Sequence, residues 1–204
     1  MIPVYAVIPS NGRPSLHRAV ASLLPQVHEL LIIQTHDFDP PPGVLAARWT
    51  GDFNISEWWN LGIGLAALEY QREEAFDILI VNDDIVAPPA MAAALSTAMR
   101  ATTAPLACPG PGGLDTEPGW HTSITGWCFM LRGEAGLRCD EQFQWWFGDN
   151  DLDWTARTRG GTLHVPGCEP LHLHPDQQTQ ASPQLLAQTR IDKQRFEAKW
   201  KTSR

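Results

Sequence analysis

The sequence lacks a long apolar run, since no stretch approaches the roughly 20 consecutive apolar residues that cross a membrane. Its first residues also lack the basic start and the cleavage site of a secretory signal. Basic residues are in deficit: 15 Lys and Arg stand against 23 Asp and Glu, which gives a net charge of -8. That balance argues against non-specific binding to nucleic acid. We therefore expect a cytoplasmic protein without a membrane anchor.

Cysteine is scarce as well, with four residues and no CxxC pair. Isolated cysteines in such a chain are expected to be reduced thiols, not a disulfide framework or a zinc site. Charged residues make up only 19% and hydrophobic residues 43%, so the chain is too apolar to be disordered. Tryptophan, in contrast, is frequent at nine residues, and some of these are expected to line a ligand surface or a tight core.

Short apolar runs alternate with segments of helical periodicity, a pattern typical of βα units around a mostly parallel sheet. The clearest strand, 78–81, is apolar throughout and is predicted to be buried on both faces. Further strands are predicted at 3–8, 30–33, 46–49 and 162–165, with a strand pair at 120–132 and one short strand within 104–118. Helices are predicted at 15–24, 56–72, 90–100, 152–159 and 185–200.

Polar residues directly follow three of the predicted strands. The three segments are Pro9-Ser10-Asn11-Gly12-Arg13, Gln34-Thr35-His36-Asp37 and Asn82-Asp83-Asp84. Ligands of open parallel sheets bind at the carboxyl ends of the strands, so we expect the three segments to meet in one site. The adjacent carboxylates of Asp83 and Asp84 repel each other unless a cation lies beside them, and oxygen donors suit Mg²⁺ or Mn²⁺. The alternative is a solvated turn in which Asp84 caps the next helix.

A second acidic cluster lies near residue 150. Asp149, Asp151 and Asp153 surround the predicted start of a helix. A carboxylate in such a cluster could serve as a general base, or it could simply cap the helix and favour its positive end. His172 and His174, at positions i and i+2 of a strand, would face the same side, and either could complete a metal site.

These segments, in their order and spacing, resemble the glycosyltransferases of the GT-A fold, especially the large family 2. Residues 7–14 are similar to that family's first strand and base-binding loop, and 78–84 to its strand with a DxD-type motif. Residues 126–132 resemble the segment ahead of the catalytic acid, and Gly148-Asp149-Asn150-Asp151-Leu152 resembles the ED-x-D-L segment. Val165-Pro166-Gly167, followed by His172, resembles the late strand and the metal-binding histidine.

Two positions depart from the family pattern: Gly148 stands where Glu is frequent, and Asn82 where an acid is frequent. The family's arginine, six residues past the catalytic aspartate, would fall on Thr155 if Asp149 is that residue and on Arg157 if Asp151 is. Both acids therefore remain candidates, with Asp149 favoured by the Asp-x-Asp-Leu match.

The resemblance implies an α/β, Rossmann-like GT-A fold, with a mixed, mostly parallel sheet flanked by helices. It implies a single domain over 1–204, with a nucleotide-binding half (1–100), an acceptor and catalytic half (101–175), and a lid loop with a C-terminal helix (176–204). The expected activity is inverting transfer of a sugar from a nucleoside diphosphate, taken as UDP, to an acceptor hydroxyl, assisted by Mn²⁺ or Mg²⁺.

The resemblance also implies roles for particular residues. The expected catalytic bases are Asp149 or Asp151, and the expected metal ligands are Asp84 with His172 or His174. The expected nucleotide-binding residues are Pro9, Ser10, Asn11, Arg13, Asp37, Asn60, Asn82 and Asp83. The expected acceptor or sugar-binding residues are Gly126, Trp127, Trp145 and Trp146, because aromatic faces beside a carboxylate suit stacking on a sugar ring.

Two other functions remain open at this point. One is a glycosyltransferase-like protein that binds nucleotide sugars or glycans without catalysis, which the two departures would allow. The other is a sugar-nucleotidyltransferase, although the Gly-rich first loop of that class is poorly matched by residues 10–14. The acceptor stays open among a glycan, a small molecule, a protein side chain and a modified nucleotide.

Overall fold

The computed structural model describes residues 2–69, 75–173 and 182–202. The described residues form ten strands: β1 (Val4–Ser10), β2 (Glu29–Gln34), β3 (Leu45–Arg48), β4 (Asp77–Val81), β5 (Ile85–Val86), β6 (Leu106–Pro109), β7 (Gly113–Asp115), β8 (Cys128–Arg132), β9 (Thr162–Val165) and β10 (Leu171–His172). Eight of them form one sheet in the order β3-β2-β1-β4-β8-β6-β9-β7, and β5 pairs with β10 in a separate ribbon.

The α-helices flank this sheet on both faces. They are α1 (Leu16–Leu23), α2 (Ile55–Glu69), α3 (Met91–Arg100), α4 (Gly148–Arg157) and α5 (Pro183–Trp200). Side chains of β4 alternate between two cores: Leu79 packs with α1 and α3, and Ile80 packs with α2 and α4. Strand β4 is thus buried on both faces, as its apolar sequence predicts.

Strand direction determines what meets at the rim of the sheet. Strands β1, β2 and β4 run parallel, so the segments after Ser10, Gln34 and Val81 emerge on the same side. Strand β8 runs antiparallel to β4, with Cys128 opposite Val81, so the residues before β8 reach the same rim. A hydrogen bond from the backbone N–H of Asn82 to the carbonyl oxygen of Trp127, at 3.0 Å, joins the two segments.

Several predicted elements differ from the observed ones. Helix α4 begins at Gly148 and not at 152, which places Asp149 and Asp151 in its first turn. The predicted strand pair at 120–132 is one strand, β8, because the buried side chain of Arg157 hydrogen-bonds the carbonyl oxygens of Glu117 and Thr122 and holds the preceding segment in an irregular path. Two strands, β6 and β7, lie where one was expected.

Other expectations are confirmed. All four cysteines are free and buried. Helix α2 follows its predicted course as far as Glu69, and the remainder of that prediction lies outside the described residues. Over 2–69, 75–173 and 182–202, none of the helices has the length and apolar character required to cross a membrane.

Candidate active site

A cleft of about 380 Å³ opens at the carboxyl rim of β1, β2 and β4. Six of the predicted nucleotide-binding residues, at the ends of β1 and β4 or directly after them, line it: Pro9, Ser10, Asn11, Arg13, Asn82 and Asp83. The opposite wall is largely aromatic and comes from Trp49, Phe53, Trp58 and Trp145. We call it the first cleft. Its combination of aromatic walls with a polar floor is typical of ligand pockets.

Asp83 lines the first cleft and Asp84 follows it in the chain, and both carboxylates are almost fully buried, at 5% and 3% exposure. Ser10 donates a hydrogen bond from Oγ to Asp83 Oδ2 at 2.6 Å. Arg13 faces both acids, with Nη1 3.4 Å from Asp84 Oδ2 and Nε 3.9 Å from Asp83 Oδ1. Burial raises the pKa of Asp83, and the contacts with Ser10 and Arg13 oppose that rise.

The ribbon of β5 and β10 brings His172 to the acid pair. His172 lies opposite Ile85 in this ribbon, and its Nε2 is 3.1 Å from Asp84 Oδ1. Two atoms that bind one octahedral Mg²⁺ or Mn²⁺ at right angles are about 3 Å apart, so the spacing fits a shared ion. His174, the other predicted ligand, lies outside the described residues.

The protein donors at this point are few. Among the residues that the structure describes, no group of three His, Cys, Asp or Glu side chains is arranged to hold a metal. Asp84 and His172 would therefore supply two ligands, and a phosphate and water would supply the rest. Mg²⁺ is commonly bound in this way, by one or two carboxylates together with substrate phosphates.

A second cleft, of about 180 Å³, adjoins the first and contains Asp149. Three residues, Ile55, Asn82 and Trp145, line both clefts. The predicted acceptor-binding residues Gly126, Trp127, Trp145 and Trp146 all line the second cleft. The structure thus brings the acid-rich segment near residue 150 next to the rim of β4.

Asp149 sits in the first turn of α4 and is partly buried. Its Oδ1 accepts a hydrogen bond from the backbone N–H of Asn150 at 2.9 Å. Burial raises the pKa of Asp149 to about 6, while the backbone of Asn150 opposes the rise and Asp153 adds to it. Gly126 is required beside it, because a Cβ there would lie 2.9 Å from Asp149 Oδ2. A carboxylate with a pKa near 6 is suited to general-base catalysis at neutral pH.

The structure places three other predicted site residues outside the lining of both clefts. The carboxylate of Asp151 points to α5, where Lys199 Nζ and the Trp200 indole each donate a hydrogen bond to it, at 2.9 Å and 2.8 Å. Asp37 has an 84% exposed side chain paired with Arg48 at 3.2 Å and does not line the first cleft.

Asn60 is the third of these residues. Its side-chain amide donates to the carbonyl oxygen of Cys139 at 2.8 Å and accepts from the backbone N–H of Cys139 at 2.9 Å. Both ends of the amide are therefore used to attach the segment around Cys139 to α2. The residue supports the fold and does not face the first cleft.

Sequence reasoning missed Asp192, a fully buried residue of α5. Its Oδ2 accepts hydrogen bonds from the backbone N–H groups of Trp145 and Trp146, at 2.9 Å and 3.0 Å, and its Oδ1 accepts from Gln144 at 3.3 Å. Asp192 thus fixes the aromatic turn that separates the clefts. No local pattern could have revealed a contact across more than 40 residues of chain.

Sequence comparisons identify no relatives: no family model matches the chain, and no curated protein matches it either. The fold and the strand order, however, define the class. The chain has a GT-A fold, a Rossmann-like α/β architecture with a mostly parallel sheet flanked by helices.

One solved structure with this fold is the crystal structure of GalNAc-T7 with UDP, GalNAc and Mn²⁺. It superimposes with a TM-score of 0.62 at 15% sequence identity, covering 85% of this chain and 44% of that chain. The chain thus spans less than half of the GalNAc-T7 chain that it matches. At this identity the likeness establishes the fold alone.

Proposed function

We propose that the protein is a glycosyltransferase that moves a sugar from a nucleoside diphosphate, in the first instance UDP, to an acceptor hydroxyl. The observation that carries the proposal is the adjacency of two clefts that share Asn82 and Trp145. The first cleft is lined by the buried Asp83 and by Arg13, which also contacts Asp84, the partner of His172. The second cleft has a carboxylate with a raised pKa. GalNAc-T7, solved with UDP and Mn²⁺, supports a sugar nucleotide as the donor for this fold.

The donor would occupy the first cleft. The nucleobase would lie against its aromatic wall, and the diphosphate would lie over Asp83 and Asp84, within reach of Arg13. Asp84 and His172 would hold Mn²⁺ or Mg²⁺. When bound, such an ion neutralises the charge that develops on the departing diphosphate.

The acceptor would occupy the second cleft, with its hydroxyl beside Asp149. The hydroxyl oxygen attacks the anomeric carbon, the bond from that carbon to the diphosphate oxygen breaks, and Asp149 takes the hydroxyl proton. A single attack from the face opposite the diphosphate inverts the configuration of the anomeric carbon. Trp127, Trp145 and Trp146 would present aromatic faces to the acceptor and restrict water.

The departure at Gly148 has a packing reason. A Cβ at this position would lie 2.7 Å from Ser56 Oγ, and that hydroxyl donates to the carbonyl oxygen of Phe143 at 2.6 Å. A glutamate would disrupt this hydrogen bond between α2 and the segment before α4. Glycine here is accordingly a feature of the local packing and gives no ground for an inactive enzyme.

The proposal also assigns different roles to the two halves of the chain, nucleotide binding to residues 1–100 and acceptor binding and catalysis to 101–175. Residues 1–100 supply most of the first cleft and 101–175 most of the second, although Trp145 also lines the first and Ile55, Trp59 and Asn82 also line the second. The predicted lid, residues 176–183, lies almost entirely outside the described residues and is kept as a prediction.

The experiment that tests the proposal is titration of UDP with and without Mn²⁺, followed by hydrolysis assays on a panel of sugar nucleotides. We expect Mn²⁺-dependent binding of UDP and slow hydrolysis of one donor. Asp84→Asn should remove the increase in UDP affinity that Mn²⁺ produces. Asp37→Asn, at an exposed acid outside the clefts, is the matched control. Binding without turnover of any donor or acceptor would favour the non-catalytic alternative, and an absence of nucleotide binding would refute the proposal.

A further inference from the structure

Arg13 contacts the acid pair on one side and the open cleft on the other. Its guanidinium lies 3.4 Å from Asp84 and 3.9 Å from Asp83, and its side chain is 27% exposed. Among the described residues it is the one arginine or lysine in ion-pair contact with either acid. Buried carboxylates need a counter-charge, and Arg13 supplies it in the free protein.

A divalent ion at Asp84 and His172 would change this arrangement. The ion would lie within a few ångströms of the guanidinium, and like charges at such a distance repel strongly when they are partly shielded from water. It would also compete with Arg13 for Asp84, whose Oδ2 faces the guanidinium and whose Oδ1 faces His172. The free protein is therefore poorly prepared to bind a metal by itself.

A diphosphate in the first cleft would give Arg13 another anion. Arg13 already lines this cleft, and a guanidinium suits the geometry of phosphate oxygens. The contacts of Arg13 with the acid pair are also long, at 3.4 Å and 3.9 Å. The Arg100–Asp77 pair at the opposite end of β4 is shorter, at 2.6 Å. A loosely held guanidinium can change partners at little cost.

We propose that Arg13 is an exchangeable counter-ion, which neutralises Asp83 and Asp84 in the free protein and transfers to the diphosphate when metal and nucleotide bind. This inference rests on the proposed function and adds a property to it, namely that Arg13 makes the metal depend on the nucleotide. By linkage, the factor by which UDP raises the affinity for Mn²⁺ equals the factor by which Mn²⁺ raises the affinity for UDP.

The test measures Mn²⁺ binding without any catalytic readout, from the electron paramagnetic resonance signal of free Mn²⁺. Without UDP, Arg13→Met should bind Mn²⁺ about five- to tenfold more tightly than the wild type, because the acids lose the cation that competes with the metal. The addition of UDP should raise the affinity for Mn²⁺ by a smaller factor in Arg13→Met than in the wild type.

Two further variants separate charge from structure. Arg13→Lys keeps a cation beside the acids and should leave the affinity for Mn²⁺ without UDP within about threefold of the wild type. Arg48→Met removes an arginine from an exposed pair with Asp37, away from both clefts, and should leave it unchanged. If Arg13 had only a structural role, Arg13→Met would have a lower melting temperature than the wild type and would not bind Mn²⁺ more tightly.

The outcomes distinguish this inference from the function on which it rests. If the wild type binds UDP with Mn²⁺, but Arg13→Met binds Mn²⁺ alone no more tightly than the wild type, the exchange is wrong and the proposed function stands. If the wild type binds no UDP with or without Mn²⁺, both fall together.

Discussion

Acidic side chains occur at both ends of β4, and the two ends hold them differently. At the start of the strand, Asp77 is fully buried and pairs with Arg100 at 2.6 Å. Beyond its end, Asp83 and Asp84 are almost as buried, yet Arg13 approaches them only to 3.9 Å and 3.4 Å. The tight pair belongs to the permanent structure of the sheet, whereas the loose contacts leave the rim carboxylates able to accept another cation.

The first turn of α4 repeats this contrast within three residues. Asp151 is held by Lys199 and Trp200 of α5. Asp149 accepts from backbone groups, lines the second cleft and has a pKa raised to about 6 by burial. Asp77 and Asp151, which are held closely by a cation, thus support the fold, whereas Asp83 and Asp149, which have no cation as close among the described residues, line the clefts. This comparison yields four predictions, which follow from the largest effect to the smallest.

Asp149→Asn should lower the turnover of donor and acceptor by about 10²–10⁴-fold, which is the usual contribution of a general base. The binding of UDP with Mn²⁺ should remain, because Asp149 lies in the other cleft. Steady-state kinetics and titration of UDP on the same preparation measure both quantities. Turnover within tenfold of the wild type would exclude Asp149 as the base.

Asp151→Asn is the matched control for that experiment, since the same substitution is made two residues away. Its partners are on α5, so it should lower stability and leave the turnover of the folded protein nearly unchanged. Turnover is measured well below the melting temperature of the variant. If Asp151→Asn then loses as much turnover as Asp149→Asn, the directions of the two side chains do not determine their roles.

Asp77→Asn should destabilise the protein by up to about 3–5 kcal/mol, because it removes the fully buried carboxylate that pairs with Arg100 and leaves this guanidinium, only 17% exposed, with Glu134 as its remaining acidic partner. Asp83→Asn should cost much less, because Arg13 approaches Asp83 only to 3.9 Å and keeps Asp84 as a partner. Urea unfolding of the two variants gives the free energies of unfolding. Equal losses would remove the distinction between the two ends of β4.

Turnover should rise with pH through about 6 and then level, because the base acts in its deprotonated form and Asp149 has a pKa of about 6.

The free energy of unfolding should change with pH in the opposite direction. The folded pKa lies above the ordinary 3.8, so the stabilisation that Asp149 gives in its protonated form is complete below pH 4 and is lost as the pH rises through 6.

Asp149→Asn carries no such charge. Relative to the wild type, this variant should therefore gain up to about 3 kcal/mol of unfolding free energy between pH 4 and pH 7. Urea unfolding across that range measures the gain. A constant difference between the two proteins would show that the carboxylate is not desolvated in the folded state.

Local pattern predicted the fold and the segments that line the first cleft after β1 and β4. The apolar run at 78–81 predicted β4, and the polar segments after β1 and β4 meet at one rim because parallel strands end on the same side. The start of α4 could not be predicted. Phe147 precedes it with a φ of 66°, a conformation that a bulky residue rarely adopts.

Contacts between distant segments were also beyond prediction from pattern alone. His172 reaches Asp84 through a two-residue pairing of β5 and β10, which is too short to produce an alternation in the sequence. The direction of a side chain on a helix poses the same difficulty. Asn60 lies in the second turn of α2, and its side chain turns toward Cys139 because the amide pairs with the backbone there.

The smallest effect is expected at Asp37, which follows β2 at the same rim. Its exposed pair with Arg48 is of a kind worth about 0–1 kcal/mol, and the first cleft is lined at this point by Thr35 and His36 instead. Asp37→Asn should therefore change the affinity for UDP by less than about threefold, whereas Asp83→Asn should weaken it more. Titration of UDP with Mn²⁺ compares the two variants. A loss above tenfold at Asp37 would mean that the segment after β2 turns inward when nucleotide binds, and exposure in the free protein would then no longer separate acids that bind from acids that do not.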